Sequence, residues 1–138
     1  MVQREILIAD DDRDLLNAQR RSFEMEGYKV VTANNGTEAN DLLFNQEYRP
    51  DCVLLDNNMP GIDGGIIIAR MNEKGLTRII RTALYTAKDD KYLRQIITVD
   101  FRVGYFIKPI KRQILIDYFA PKEISDVVSG LSDNSKIL

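Results

Sequence analysis

The chain of 138 residues contains no histidine and only one cysteine, Cys52. The lack of histidine excludes Ser-His-Asp and Cys-His catalysis, zinc sites built on histidine, and a role as a phosphohistidine carrier. A single cysteine cannot form a disulfide framework, and this favours a reducing, cytoplasmic setting. Any chemistry must therefore rest on carboxylates, hydroxyls and lysines.

Long apolar runs and a strong excess of charge are also missing. No run approaches the roughly 20 apolar residues that span a bilayer, so we expect no membrane span. The first residues lead directly into a short apolar segment that ends in three aspartates, which is not the pattern of a signal peptide. A formal net charge of -2 gives no reason to expect direct nucleic-acid binding. With 44% hydrophobic and 29% charged residues, the composition is that of one globular domain.

Short apolar runs of strand length alternate along the chain with longer stretches of helical length. Strands are predicted at residues 5–9, 29–33, 52–55, 82–85 and 105–107, and helices at 13–26, 37–45, 64–74, 89–99 and 111–119. The run of isoleucines at 66–68 would suit a strand, but the length of its segment and the following Gly75 favour a buried helix. Five alternating units predict a doubly wound α/β domain with a parallel sheet, for which 2-1-3-4-5 is the obvious strand order.

Polar side chains follow four of the five predicted strands. In doubly wound sheets, ligands bind outside the carboxyl ends of the strands, so these residues are expected to meet. Each alone is more simply a helix cap or a surface residue, but together they indicate a site. Clustered carboxylates without histidine or cysteine ligands favour Mg²⁺, with Mn²⁺ or Ca²⁺ as substitutes. The residues are Asp10, Asp11, Asp12, Asp56, Asn57, Asn58, Thr86 and Lys108.

Four segments carry a resemblance to a known family. Residues 6–12 read ILIADDD, residues 54–64 read LLDNNMPGIDG, residues 85–87 read YTA, and residues 105–109 read YFIKP. In order and separation they resemble the signatures of response-regulator receiver domains, over about residues 4–120. The resemblance implies a flavodoxin-like (βα)5 fold for a receiver domain at residues 1–120. Residues 121–138 would then form a C-terminal tail, or the start of a linker or a further helix.

The resemblance also implies roles for individual residues. Asp56 corresponds to the phosphoacceptor, and Lys108 to the lysine that pairs with it and then with its phosphate. Mg²⁺ would be bound directly by Asp11 and Asp56 and by the backbone carbonyl of Asn58, with Asp10 holding a coordinated water.

Two further residues of the resemblance belong to a switch. Thr86 corresponds to the hydroxyl that moves toward the phosphoryl group, and Tyr105 to the aromatic ring that follows it inward. The peptide bond before Pro109 is often cis in the family. Tyr105 could instead be a half-buried core aromatic. Asp12 could serve the electrostatics of the site or cap a helix, and Asp63 is expected to cap the third helix.

The chain departs from the family pattern at two places. Phe101 and Arg102 stand where many receivers have Gly-Ala, so the left-handed glycine cap of the fourth helix is missing or moved. Arg81 stands where a proline often opens the fourth strand. Both positions lead us to expect an unusual partner surface near the fourth helix, fifth strand and fifth helix. Lys88, two residues beyond Thr86, is expected to overhang the site and tune dephosphorylation.

The predicted function is that of a phosphoacceptor in a two-component phosphorelay, with a histidine kinase or phosphotransfer protein as partner. Phosphorylation would switch the face of the fourth helix, fifth strand and fifth helix, through which a homodimer could also form. The output domain or target protein is left open. Two alternatives compete: a receiver-like module that works without phosphorylation, and an Asp-nucleophile phosphohydrolase. The second is disfavoured because Asn58 stands where a second acid is usual and because no substrate-capping insertion is present, so we expect no enzyme beyond self-phosphorylation and autodephosphorylation.

Overall fold

A five-stranded parallel sheet forms the centre of the computed structural model, which describes residues 3–121. Its strand order is β2-β1-β3-β4-β5, four helices connect the strands and a fifth follows β5, so the predicted fold class is confirmed. Strands β4 and β5 begin one residue earlier than predicted, and β4 also ends one residue later. The prediction for the C-terminal tail falls outside the described residues, except for Pro121. The strands are β1 (Glu5–Ala9), β2 (Lys29–Ala33), β3 (Cys52–Leu55), β4 (Arg81–Thr86) and β5 (Gly104–Ile107).

The helices cover both faces of the sheet. They are α1 (Arg13–Met25), α2 (Gly36–Asn40), α3 (Gly64–Glu73), α4 (Lys91–Gln95) and α5 (Arg112–Phe119). Helices α2 and α4 each continue through one wider turn, Asp41–Asn45 and Ile96–Asp100, and a 3-10 turn, Leu76–Arg78, follows α3. Within residues 3–121, none of these helices is long and apolar enough to cross a membrane.

Alternate residues of the central strands belong to two separate cores. Leu7 and Leu55 pack with α3 residues such as Ile67 in one core, while Ile6 and Leu54 pack in the other. This division follows from the period of two in a strand, which sends successive side chains to opposite faces. Strands that are apolar on both faces are what a parallel sheet covered by helices requires.

Cys52 lies at the start of β3 and is fully buried. Arg4 donates a hydrogen bond of 3.3 Å to its Sγ atom. Burial raises the pKa of the Cys52 thiol to about 11. The thiol therefore behaves as a small apolar core group.

Three helix starts are capped by side chains from the preceding loop. Asp12 accepts bonds from the backbone N–H groups of Asp14 and Leu15, Asn35 from that of Glu38, and Asp90 from that of Leu93. Asp63 occupies the cap position of α3 but makes no capping hydrogen bond, so that expectation is wrong.

Asn57, rather than Asp63, caps α3 with its side chain. Its Oδ1 accepts from the backbone N–H of Gly65 at 3.0 Å, and its carbonyl accepts from that of Gly64 at 3.0 Å. The loop that follows β3 therefore supplies acceptors for the free N–H groups at the start of α3, which makes a carboxylate cap at position 63 unnecessary.

Helix α4 ends in a left-handed residue although no glycine is present. Arg102 adopts φ 57, and the N–H of Val103 bonds the carbonyl of Ile97 at 2.9 Å across the turn. The left-handed position is thus moved to Arg102, the second residue of the pair, while Phe101 has φ -98. A left-handed conformation costs a non-glycine residue roughly 1–2 kcal/mol.

Two arginines hold the last turn of α5 against the amino ends of the strands. Arg4 donates to the carbonyl of Phe119, and Arg81 donates to the carbonyl of Tyr118 while its guanidinium lies 4.3 Å from the ring centroid. The backbone N–H of Arg81 also bonds the carbonyl of Asp51 at 3.1 Å. A proline at position 81 could not make that bond, so the departure from the family pattern has a structural role here.

Candidate functional site

The carboxyl ends of β1, β3, β4 and β5 bring the predicted polar residues to one edge of the sheet. Ala9 of β1 pairs with Leu55 of β3, so the next residues of the two strands, Asp10 and Asp56, follow side by side. The backbone N–H of Asp56 bonds the carbonyl of Ala9 at 2.9 Å and fixes this junction. Both carboxylates are buried, with Asp10 1% and Asp56 6% exposed.

Three carboxylates form a compact acidic cluster, which we call the acid trio. Asp10, Asp11 and Asp56 each offer one oxygen, and these oxygens lie within 4.8 Å of one another. Asp11 is the exposed member and faces solvent. Oxygen donors alone suit a hard cation such as Mg²⁺, so the donor chemistry of the acid trio fits the predicted metal.

Lys108 places its ammonium between two members of the acid trio. Its Nζ lies 2.8 Å from Asp10 Oδ2 and 3.4 Å from Asp56 Oδ1, and 5.0 Å from the ring centroid of Tyr85. The Lys108–Pro109 peptide bond is cis, as the resemblance implies. Burial by itself lowers the pKa of Lys108, but the hydrogen bond and charge of Asp10, followed by those of Asp56, outweigh it and raise the pKa.

The Asp56 carboxyl has a raised pKa. Burial is the main cause, the Lys108 ammonium opposes it, and the negative charges of Asp10 and Asp11 add to it. A bound cation would act in the opposite direction to burial and favour the ionised, nucleophilic form.

Thr86 ends β4 with a buried hydroxyl that lacks a partner. The residue is 1% exposed, and its Oγ1 makes no hydrogen bond within the described residues. An unsatisfied buried hydroxyl costs about 1–3 kcal/mol. The group is thus available to a ligand atom at this edge of the sheet.

Tyr105 is half-buried and joins β5 to the connection between β4 and α4. Its hydroxyl accepts from the backbone N–H of Asp90 at 2.9 Å and lies 3.4 Å from the carbonyl of Lys88. Its ring packs against the core that contains Leu84. The interpretation as a core aromatic is therefore incomplete, because the hydroxyl holds a loop beside the site.

The remaining candidates lie at the periphery. Asp12 caps α1 and is not a member of the acid trio. Lys88 and Asn58 are exposed and line an open cleft of about 420 Å³, together with Asn57 and residues 89–91. Lys88 therefore shares this cleft with Asn58, and its effect on dephosphorylation stays a prediction.

Gly64 is a positioning residue whose reason the sequence did not reveal. A Cβ atom built there would lie 2.2 Å from the carbonyl oxygen of Asp56, so α3 approaches the site more closely than any other residue type allows. Asn57, which anchors the same loop, was counted among the polar residues after β3, but its role as the cap of α3 was missed. The only signal was its position between Asp56 and the glycine pair 64–65.

The sequence matches the family described as "Response regulator receiver domain" over residues 6–120. A curated relative, the response regulator MprA of Mycobacterium sp. strain KMS, is 43% identical over 70 residues, which is 51% of this chain and 30% of that protein. The matched segment thus spans under a third of the curated relative.

Two solved structures illustrate the likeness of the fold. The receiver domain of a Francisella response regulator superposes with a TM-score of 0.74 at 23% identity, covering 85% of this chain and 93% of that one. The response regulator TrrA of Thermotoga maritima, solved in complex with Mg²⁺-BeF, gives a TM-score of 0.68 at 27% identity and covers 83% and 95%.

Proposed function

This chain belongs to the family of response regulator receiver domains, and from that premise we propose that it accepts a phosphoryl group on Asp56 from a histidine kinase or phosphotransfer protein. The observation that carries the proposal is the Lys108 ammonium between Asp10 and Asp56, two members of the acid trio. Receiver domains are signalling domains. We infer that the chemistry of this one is limited to its own phosphorylation and dephosphorylation, in a cytoplasmic setting.

Asp11, Asp56 and the backbone carbonyl of Asn58 would hold Mg²⁺, with Asp10 binding a coordinated water. Mn²⁺ or Ca²⁺ could take the same oxygen ligands. The bound cation would neutralise charge on the oxygens of the phosphoryl group. The relative from Thermotoga maritima was solved with Mg²⁺-BeF, which supports this assignment for the present chain.

The transfer step makes one bond and breaks one bond. A carboxylate oxygen of Asp56 attacks phosphorus, the bond between phosphorus and the donor imidazole nitrogen breaks, and its electron pair stays on that nitrogen. Lys108 remains protonated because its pKa is raised, so it offers a full positive charge to the transferred group. Attack of water on phosphorus later releases inorganic phosphate and returns the Asp56 carboxylate.

The Thr86 hydroxyl would donate a hydrogen bond to a phosphoryl oxygen and so gain the partner that it lacks. Movement of Thr86 would shift the connection 87–90, which Tyr105 holds through its hydroxyl. A few kcal/mol of differential stabilisation is enough to shift a two-state equilibrium. The face of α4, β5 and α5 would then change its affinity for a target protein or for a second copy.

Intact mass measurement after incubation with Mg²⁺ and a small phosphodonor tests the proposal. We expect one added phosphoryl group on the wild type and none on Asp56→Asn. Equal labelling of both proteins would contradict it, as would no labelling, which is the result for a module that works without phosphorylation. Sustained turnover of small phosphate esters would instead indicate a phosphohydrolase.

Lys88 is proposed to tune the lifetime of the phosphorylated state. It is exposed and lines the cleft beside Asn58. Lys88→Glu changes the charge in the cleft beside Asn58 by two units, so we expect the lifetime of phosphorylated Asp56 to change at least about twofold, because a nearby charge alters the electrostatic free energy of the phosphoryl group. Lys74→Glu, the same change at the opposite edge of the sheet, is the control. An unaltered lifetime in Lys88→Glu would remove Lys88 from the mechanism.

A further inference from the structure

A groove with a positive charge lies at the amino ends of β4 and β5, opposite the acid trio. It consists of two open clefts of about 890 Å³ and 240 Å³ that share Thr77, Arg78 and Arg102 in their walls. We call it the basic groove. Its cationic side chains are Lys74, Arg78, Arg81 and Arg102.

The cations of the basic groove are not neutralised by the protein. None of the four forms a salt bridge with a residue in 3–121. Among the described residues, the smaller cleft has three arginines and no carboxylate in its wall, while Glu73 and Asp100 line the larger one. Four cations therefore face two anions, in a chain whose formal net charge is -2.

The groove also exposes an apolar side chain. Ile79 lines the smaller cleft and is 73% exposed. The next residue, Ile80, is buried. Arg102 reaches the groove from a left-handed backbone position. An isolated exposed isoleucine is ordinary. Together with the cations around it, however, Ile79 gives the groove an apolar contact and a charged contact for a ligand that has groups of both kinds.

We propose that the basic groove docks an acidic segment of a partner protein that carries an apolar side chain beside its carboxylates. Arginine forks pair with carboxylates in a bidentate manner, and Ile79 would receive the apolar side chain. The volumes of the two adjoining clefts, about 890 Å³ and 240 Å³, exceed what a small oxyanion would fill. Glu73 and Asp100 would repel a uniformly charged nucleic-acid backbone but can lie beside uncharged residues of a protein segment.

This site is independent of the proposed function, because it lies at the other edge of the sheet. The acid trio at the carboxyl edge repels an acidic segment, while the basic groove attracts it. The electrostatic field of the protein would therefore steer such a partner toward the basic groove. Binding is therefore expected to be the same in wild type and in Asp56→Asn.

Fluorescence anisotropy with labelled peptides of about 12 residues, which span up to ~40 Å when extended, tests the proposal. A peptide of alternating Glu and Leu should bind, whereas peptides of Lys and Leu, or of Glu and Ser, should bind far more weakly. Arg78→Glu/Arg102→Glu should weaken binding of the Glu-Leu peptide at least about tenfold, since reversed charges repel it. Arg21→Glu/Lys111→Glu, a matched pair of exposed cations elsewhere, should change it less than about twofold.

Ile79→Ser separates the apolar contribution from the charge, and it should weaken binding of the Glu-Leu peptide only. Thermal unfolding of every variant shows whether the fold is intact. The proposal fails if no peptide binds, or if the reversal at 78 and 102 leaves the affinity unchanged. Tighter binding of tripolyphosphate or of single-stranded DNA through the same arginines would also overturn it, in favour of a small oxyanion or a nucleic acid.

Discussion

Asp56 and Asp10 share one ammonium group unequally. Lys108 lies 2.8 Å from Asp10 but 3.4 Å from Asp56, so the carboxyl that must act as nucleophile is the less neutralised of the two. Burial and the neighbouring negative charges then raise its pKa in the protein without a cation. A bound cation would lower the pKa of Asp56 and favour its ionised form.

In the metal-free protein, Asp56→Asn should raise the free energy of unfolding near pH 7 and have a smaller effect near pH 4. A carboxyl with a raised pKa binds protons more readily in the folded state, so stability is lost as pH rises from its ordinary value of 3.8 toward the raised value. Asparagine does not titrate. Urea unfolding with a chelator present measures the effect, with Asp63→Asn as the exposed control. Lower stability of Asp56→Asn near pH 7 would contradict this account.

Thr86→Val should leave the unphosphorylated fold as stable as the wild type or stabilise it by about 1 kcal/mol, because it removes a buried hydroxyl without a partner. Thr82→Val is the matched control, since that buried hydroxyl donates to the carbonyl of Ile80 at 2.9 Å. The control should lose about 1 kcal/mol. Equal losses in both variants by urea unfolding would show that Thr86 is satisfied in solution.

At the scale of the element, the ends of α2 and α4 both carry the strain of a left-handed residue other than glycine, Glu47 and Arg102. Arg102→Gly should stabilise the protein by about 0.5–1 kcal/mol, because glycine adopts φ 57 without the cost of a Cβ, partly offset by its greater entropy when unfolded. Urea unfolding measures the change, and Arg78→Gly, in the neighbouring 3-10 turn, should destabilise. A loss of stability in Arg102→Gly would mean that the arginine side chain contributes more than its backbone costs.

Strand and helix positions could be predicted from the sequence because both faces of the sheet are apolar and Gly27 and Gly75 mark helix ends. The segment with Ile66–Ile68 forms a helix, as its length indicated. The end of α4 could not be predicted, because a left-handed arginine has no local signal. The cap of α3 was missed for a different reason: Asn57 reaches it through tertiary contacts that no residue spacing shows.

The candidate site was predictable to a similar extent. The residues of the acid trio and Lys108 follow strands, and the parallel sheet brings them together. The sequence could not decide between the two roles of Asp12, because they depend on where its carboxylate points. In the structure this carboxylate caps α1. Nor could it show that Thr86 lacks a partner, since that depends on every neighbouring atom.

For the whole molecule, cation binding should couple to stability. Only the folded protein brings the three carboxylates of the acid trio together to bind Mg²⁺. Mg²⁺ at 100 times its Kd should therefore add about 2.7 kcal/mol to the free energy of unfolding. Thermal unfolding with and without Mg²⁺ measures this, and Asp11→Asn should remove most of the gain. An equal shift in Asp11→Asn, or none in the wild type, would contradict metal binding at the acid trio. Asp14→Asn, one turn away and outside the trio, controls for the loss of one charge.

The burial of Cys52 decides how the molecule can be observed. With a thiol pKa of about 11 and full burial, the chain presents almost no reactive sulfur to maleimide dyes near neutral pH. A cysteine substituted at an exposed position would therefore take a dye alone, without first removing the natural one. One probe beside Asp56 and another beside the basic groove could then report separately on the two ends of the sheet.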